Sequence, residues 1–376
     1  MICDHDDFPL HQSSAPLLHL ASDAPGAYDR YFYNGHDEHG RIFIAVALGV
    51  YPNRKVMDAS FSVSTGGIQH NFRTSRLCDR DRTETAVGSI RVEVLRPMRE
   101  HRISVSDSAG ISADLVWRAV SPVLEEPGFR FVESGRTTMD YTRITQFGVW
   151  SGWVKVDDRR YDLDEFGRVA GCRDRSWGTR NSSKGLGTPG ESRQFYWLWA
   201  PASVGDGHLH AAVNDDASGR SWHRSGALAA RFPDPDTSGE SPERNVLDES
   251  LVRRATTVGV DIGWAKGTRW PTSATITLDM WREEPLVVSY EPLMRFQMSG
   301  IGYTHPEWWH GAWRGTLAET RDVINLSEVN PLDPTMIHVQ QVCRVSAGGQ
   351  SGTGVLESLV IGPHDPSGFL SVLDGA

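Results

Sequence analysis

The chain has 376 residues, of which 23% are charged and 39% hydrophobic, with a formal net charge of −10. That length allows one large or two ordinary domains, each with its own core. The acidic balance argues against nucleic acid and anionic membrane surfaces as partners, because both attract clustered Lys and Arg.

No apolar run reaches the ~18–20 residues of a membrane span. The opening stretch, MICDHDDFPL, is acidic where a secretory leader would be basic and then apolar, so a cytoplasmic location is expected. Cys3, Cys78, Cys172 and Cys343 are scattered, with no C-x-x-C pair. Reduced, buried thiols fit that spacing better than a zinc knuckle or a redox pair. The 13 Trp are the compositional outlier, since large flat side chains suit wide cores and apolar ligand pockets.

Along the chain, apolar and polar residues alternate in Ser89–Val94, Arg102–Ser106 and Ser273–Leu278. Alternation with period two puts one face of a strand on a core and the other in water. Turn signals separate such runs at Thr65-Gly66-Gly67, Asp107–Gly110, Val156-Asp157-Asp158, Asn214-Asp215-Asp216 and Ala347-Gly348-Gly349. Hairpins are expected from about residue 40 to 170 and again from 193 to 362, with one short helix over Arg244–Thr256. The fold class is all-β, sandwich or barrel. A Gly/Ser/Pro-rich break at 181–192, NSSKGLGTPGES, divides it into two β domains, 1–185 and 186–376, and a second loop is expected at 233–243.

Two strands are apolar on both faces: Phe195–Ala200, with Tyr196, Trp197 and Trp199, and Phe147–Val154, where glycines alternate with aromatics. A strand covered on both sides lies between two layers or between a layer and a cavity. The glycines leave room for something to approach the backbone. A dry, Trp-lined space near the domain junction is the expectation.

Residues 301–315, IGYTHPEWWHGAWRG, hold His305, Glu307, His310, Trp309 and Trp313. The spacing of the two histidines does not match H-E-x-x-H, which needs both rings on one helix face. Five residues along a helix is a rotation of about 140° from overlap, and on a strand an odd separation sends the rings to opposite faces. No metal site is expected there. His208 and His210 share a strand face and read as a solvated face, whereas His338 sits on a strand and points inward. G-x-S-x-G, phosphate-loop and dinucleotide motifs are missing, so no cofactor is implied. In Gly171–Arg180, Asp174 is flanked by Arg173, Arg175 and Arg180, any of which could hold it ionised.

The run Asp174-Arg175-Ser176-Trp177-Gly178 resembles the D-H-x-W-G signature of the carotenoid 1,2-hydratase (hydroxyneurosporene synthase) and AttH-like proteins. Similar stretches are Ala47–Arg54, Met139–Arg143, Gly302–Gly311 and Gly362-Pro363-His364, so that the resemblance covers residues 28 to 365. It implies two lipocalin-like antiparallel β-barrel or sandwich domains packed together, with an apolar ligand site near the junction. It also implies relatives that hydrate, cyclise or isomerise terpenoid or polyketide-like molecules without a cofactor. Where those hydratases carry a His this chain has Arg175, a poor general acid, and where they carry Tyr-x-Asp it has Tyr196-Trp197-Leu198.

Two readings follow. One is a hydro-lyase or isomerase for a hydrophobic, isoprenoid or polyketide-like molecule. Asp174 or Glu307 would be its proton donor, with His305 or His310 as partner. Trp177, Arg180, Tyr196, Trp197, Trp199, Tyr141, Trp309, Trp313 and His338 would contact the ligand, and the indoles would stabilise a carbocation. The other is a non-catalytic carrier or sensor of a hydrophobic small molecule, with carbohydrate stacking on Trp as a weaker third. A homodimer is compatible with either.

Overall fold

The structure, a computed structural model, describes residues 10–78, 81–133, 135–180, 194–234 and 245–376. The expected boundary at 185/186, the break at 181–192, most of the 233–243 loop and Cys3 lie outside them. The described residues form two antiparallel sheets, and their helical pieces are 3-10 turns of three or four residues. Among the described residues no helix is long and apolar enough to cross a membrane. The helix expected over Arg244–Thr256 is a correction: Glu249–Leu251 makes one 3-10 turn, and Val252–Arg254 is already strand. The Asp248 carboxylate takes the Ser250 N–H at 3.0 Å, a local bond that competes with helix propagation.

The first sheet runs through Ile42–Tyr51, Ala27–His36, Val169–Arg180, Arg136–Val156 and Ile111–Ala119 in spatial order. At its edge Ile68–Leu77 pairs with Leu317–Asn325, a strand from late in the chain. In the second sheet Phe195–Trp199 lies between Gly207–Asp215 and Gln350–Ile361. The ends of this sheet approach each other where Ala255 N donates to Gly226 O at 2.8 Å and Thr256 N to Asp279 O at 2.7 Å. Both sheets are lipocalin-like, each wrapped about its own core and packed against the other.

Side-chain parity sorts the residues into three cores. In the wholly buried strand IFIAVALGVY, Ile42, Ile44, Val46, Leu48 and Val50 fill the first sheet's core. Phe43, Ala45, Ala47 and Tyr51 face the junction with the second sheet. Phe195–Trp199 divides the same way, with Tyr196 and Leu198 in the second sheet's core and Trp197 and Trp199 in the junction. What approaches the Phe147–Val154 backbone is protein: a Cβ at Gly148 would fall within the Trp117 indole, and one at Gly152 would fall against the Asp114 backbone. His208 and His210 are not solvated. Their shared face is the one covered by the first sheet, where His208 stacks on Phe147 at 4.4 Å and both rings are buried.

Candidate functional site in the junction between the sheets

Neighbouring strands of the first sheet bring one set of polar residues to the junction face. Phe32 pairs with Asp174 and Arg30 with Ser176, while across the other edge Arg143 pairs with Ser176 and Thr145 with Asp174. Residues two apart along a strand share a face, so Asp174 and Arg180 look the same way as Tyr28, Arg30, Tyr141 and Arg143. The same rule corrects the expected partners of Asp174. Arg173 and Arg175 point to the opposite face, where Arg173 donates to Gln146 Oε1 at 2.9 Å and Arg175 pairs with Asp29.

Asp174 is half-buried, and among the described residues no hydrogen bond or ion pair ties its carboxylate down. Burial pushes its pKa up to about 6, against the downward pull of Arg143, Arg30 and Arg180 and with a push from Glu126. A group that changes protonation near pH 6 can both give and take a proton in neutral solution. Asp58, across the sheet, is likewise raised to about 6 by burial, but it is engaged, accepting the Gly311 N–H at 2.5 Å.

Arg143 has its own carboxylate. Glu126 accepts from it at 2.7 and 2.5 Å and from Thr145 Oγ1 at 2.8 Å. Burial would raise the Glu126 pKa, but Arg143 and His210 hold it far below the usual carboxylate range. The Arg143 guanidinium lies over the rings of Phe129 and Trp197, each at 4.6 Å, and Trp199 at 5.9 Å. The indoles expected to cradle a substrate cation thus already carry a resident one.

A second carboxylate comes from the other sheet. Glu357 accepts from Trp197 Nε1 at 2.8 Å, His338 Nε2 at 2.8 Å and Gln340 Nε2 at 2.6 Å. These bonds overcome burial and keep its pKa low. An ionised carboxylate only accepts, so His338 Nε2 carries a proton. His338 Nδ1 is buried and, among the described residues, without a partner.

The loop after Met298–Ile301 closes over the site. Tyr303 packs edge-on against His338 at 4.7 Å and accepts from Arg30 Nη1 at 2.9 Å. The His310 ring meets Ile301 O through Nε2 at 2.8 Å and the Arg30 guanidinium through Nε2 at 2.9 Å and Nδ1 at 3.1 Å. Burial, reinforced by Arg30, holds the His310 pKa well below its ordinary value, so this ring is neutral. Tyr28, Arg30, Tyr51, Arg54, Arg180, Tyr303, His305, Trp309 and His310 line a cavity of about 590 Å³, together with Ile337, Ile361, Val372 and Leu373. Arg30 and Arg180 face this cavity and also act on Asp174.

Of the residues singled out from the sequence, Asp174, Arg180, Trp197, Trp199, Tyr141, His338, His310, His305 and Trp309 meet at the junction or its cavity. His305 Nδ1 accepts the backbone N–H of Glu307 at 3.1 Å and of Trp308 at 2.9 Å, which shapes the loop. The rest lie elsewhere. Glu307 is 63% exposed and pairs with Arg314 at 3.1 Å. Trp313 and Trp177 are 53% and 41% exposed. Tyr196 stacks on His364 at 4.2 Å, within the second sheet's core. Arg30, Glu126, Arg143, Tyr303 and Glu357 were not singled out for a site. Glu357 carries a signal, a lone charged group at junction-facing parity between Val355 and Leu359, whereas Glu126 and Tyr303 lie outside the strands. Among the described residues no group of three His, Cys, Asp or Glu side chains is placed to hold a metal ion.

The model of a family of unknown function, DUF8625, matches residues 2–370. No curated protein matches the sequence. A solved structure of a candidate AttH from Nitrosomonas europaea is similar over 88% of this chain and 92% of its own, at 14% identity and a TM-score of 0.51. Kievitone hydratase from Nectria haematococca is similar over 91% of this chain and 92% of its own, at 11% identity and a TM-score of 0.50. These likenesses establish a shared fold and leave the activity open.

Proposed function

We propose that this chain, which belongs to the DUF8625 family of unknown function, is a cofactor-independent lyase or isomerase. Its substrate would be a hydrophobic small molecule of isoprenoid or polyketide type, handled by acid/base chemistry at the junction of the two sheets. The observation that carries this reading is Asp174: half-buried, without a hydrogen-bond partner among the described residues, and titrating near pH 6. Protonated Asp174 gives its proton to an unsaturated carbon, and water adds at the neighbouring electron-poor carbon. The proton shed by that water goes to His338 Nδ1, the ring being oriented by Glu357. Proton return to Asp174 closes the cycle, with one water added overall. In an isomerisation the proton leaves from a second carbon instead.

The charges around Asp174 favour one variant of this chemistry. Arg143 occupies the indole faces, and Arg30 and Arg180 stand beside the carboxyl. A free carbocation would be repelled, whereas an oxyanion or enolate would be stabilised. Hydration or isomerisation of a double bond conjugated to a carbonyl therefore suits this site better than protonation of an isolated alkene.

The test is mass spectrometry of conjugated apolar enones and unsaturated acids incubated with the full chain, Asp174→Asn and His338→Gln. A mass gain of one water, or a shifted double bond, is expected with the native chain and is lost in both variants. Turnover untouched by Asp174→Asn would sink the assignment. A carrier is the second reading, favoured by Arg175 standing where the hydratase motif has His, and it predicts that every bound ligand is recovered unchanged.

A further inference from the structure

Three buried arginines are matched with carboxylates, Arg143 with Glu126, Arg73 with Asp322 and Arg269 with Asp374, and Arg173, also buried, is matched with the Gln146 amide oxygen. The junction cavity gathers guanidiniums that lack a carboxylate. Arg30, Arg54 and Arg180 all line it, and among the described residues none of the three forms an ion pair with a carboxylate. Arg30 bonds to neutral partners, the Tyr303 hydroxyl at 2.9 Å and the His310 ring, and its Nε is buried without a partner. Arg180 Nε is also buried and, among the described residues, without a partner, the guanidinium being stacked over Tyr141 at 4.6 Å and Tyr28 at 5.4 Å. Arg54 donates to Pro25 O at 2.9 Å and lies over Trp309 at 5.2 Å. The buried Tyr51 hydroxyl, on the same cavity, has no partner among the described residues either.

Unmatched guanidiniums and an orphan hydroxyl around one space are an incomplete hydrogen-bonding set, and a group rich in acceptors and carrying negative charge completes it. Asp174 and Asp58 are the carboxyls near these cations. Both have pKa values raised by burial, and neither is bonded to a guanidinium of the cavity. The rest of the wall is different in kind: Ile337, Ile361, Val372 and Leu373 present apolar surface.

We propose that this cavity binds an amphiphilic anion, its carboxylate held by Arg180 and Arg30 and its hydrocarbon body laid against Ile337, Ile361, Val372 and Leu373. The proposal rests on the reading of the junction as the reaction site and names its substrate class: apolar acids rather than neutral hydrocarbons or alcohols. The volume of about 590 Å³ matches a body of that kind.

The experiment compares dodecanoate with dodecanol on the full chain. Binding is followed by isothermal titration calorimetry and by tryptophan fluorescence, to which Trp309 in the cavity wall contributes. The acid is expected to bind about tenfold tighter than the alcohol, as a charge-assisted bond in place of a neutral one implies. That preference shrinks as salt is raised, and Arg180→Gln abolishes it while Arg314→Gln, on the exposed loop, leaves it intact. Equal affinity for acid and alcohol in the native chain overturns the proposal, as does failure of both to bind, and neither result needs a variant that folds. A preference that survives Arg180→Gln overturns it too. If dodecanoate is preferred but no unsaturated acid is turned over, this inference stands and the enzymatic reading falls. Turnover of neutral enones with no acid preference does the reverse.

Discussion

Glu126 grips Arg143 with both carboxylate oxygens, at 2.7 and 2.5 Å, in a site where neither side chain is more than 4% exposed. Removing one partner of such a pair strands a charge, at a cost of about 3–5 kcal/mol. Glu126→Gln should lose stability on that scale in denaturant unfolding, and Glu126→Leu combined with Arg143→Met should recover most of it. The pH sign is definite. A carboxylate with a lowered folded pKa stabilises above its unfolded value and loses that contribution only as pH falls through the folded one, so the pair should remain intact at pH 5.

Asp174 has the opposite sign. Its folded pKa is raised to about 6, so the protonated form is the one the fold favours. Its contribution to stability is full below the ordinary aspartate value and is lost as pH rises through about 6. Infrared difference spectra should show protonated carboxyls disappearing near pH 6, part of that signal belonging to Asp58. Asp174→Asn should remove one of the two components. Two components surviving in the variant would refute the assignment.

Buried histidines set the acid limit. Burial lowers the pKa of both His101 and His208 to about 3. An unfolded chain takes up these protons near pH 6.5 while the folded one refuses them, so stability is present above that pH and falls below it. Between pH 6 and 4 each ring should add about 1.4 kcal/mol per pH unit to the slope of unfolding free energy against pH. His208→Gln should reduce the slope by one such increment.

Gly148 and Gly128 make a matched pair. A methyl at Gly148 meets the Trp117 indole, while one at Gly128 meets nothing within 4 Å. Gly148→Ala should cost about 1–3 kcal/mol through overpacking. Gly128→Ala should be neutral or stabilise by up to ~1 kcal/mol. Thermal unfolding of the two variants distinguishes them directly.

Glu307 supplies a contrast to Asp174. Its pair with Arg314 is exposed on both sides, at 63% and 34%, and exposed pairs contribute about 0–1 kcal/mol. Glu307→Gln should leave stability within that range. It should also leave turnover of any substrate found for the junction site unchanged, which mass spectrometry of the products would verify.

Strands were legible because alternation is a local signal: Ile90–Val94 and Ser273–Leu278 fall in strands, and the doubly apolar run at Phe195–Ala200 divides between two cores as its pattern implies. Within the site, legibility stopped at parity. Asp174, Arg173 and Arg175 look like one ionic cluster when read as letters, yet a strand sends Asp174 one way and its two neighbours the other. Glu126 and Arg143 meet because the 124–126 segment runs beside the strand of Arg143, and Glu357 comes to the same junction from the other sheet, through Trp197. Tertiary pairing of that kind leaves no trace in spacing. In the 301–315 loop the density of aromatic and ionisable residues was visible, but not the turn that aims His310 at Arg30 and Glu307 at solvent.

The strand Leu317–Asn325 completes an edge begun by Ile68–Leu77 some two hundred and forty residues earlier. During biosynthesis that earlier edge therefore waits, its ladder groups unanswered, until Leu317–Asn325 has left the ribosome. Over that interval a bare β edge can recruit a strand from a neighbouring nascent copy. Truncation before residue 317 should make the waiting state permanent, so that shortened products accumulate as insoluble aggregates rather than as working half-molecules.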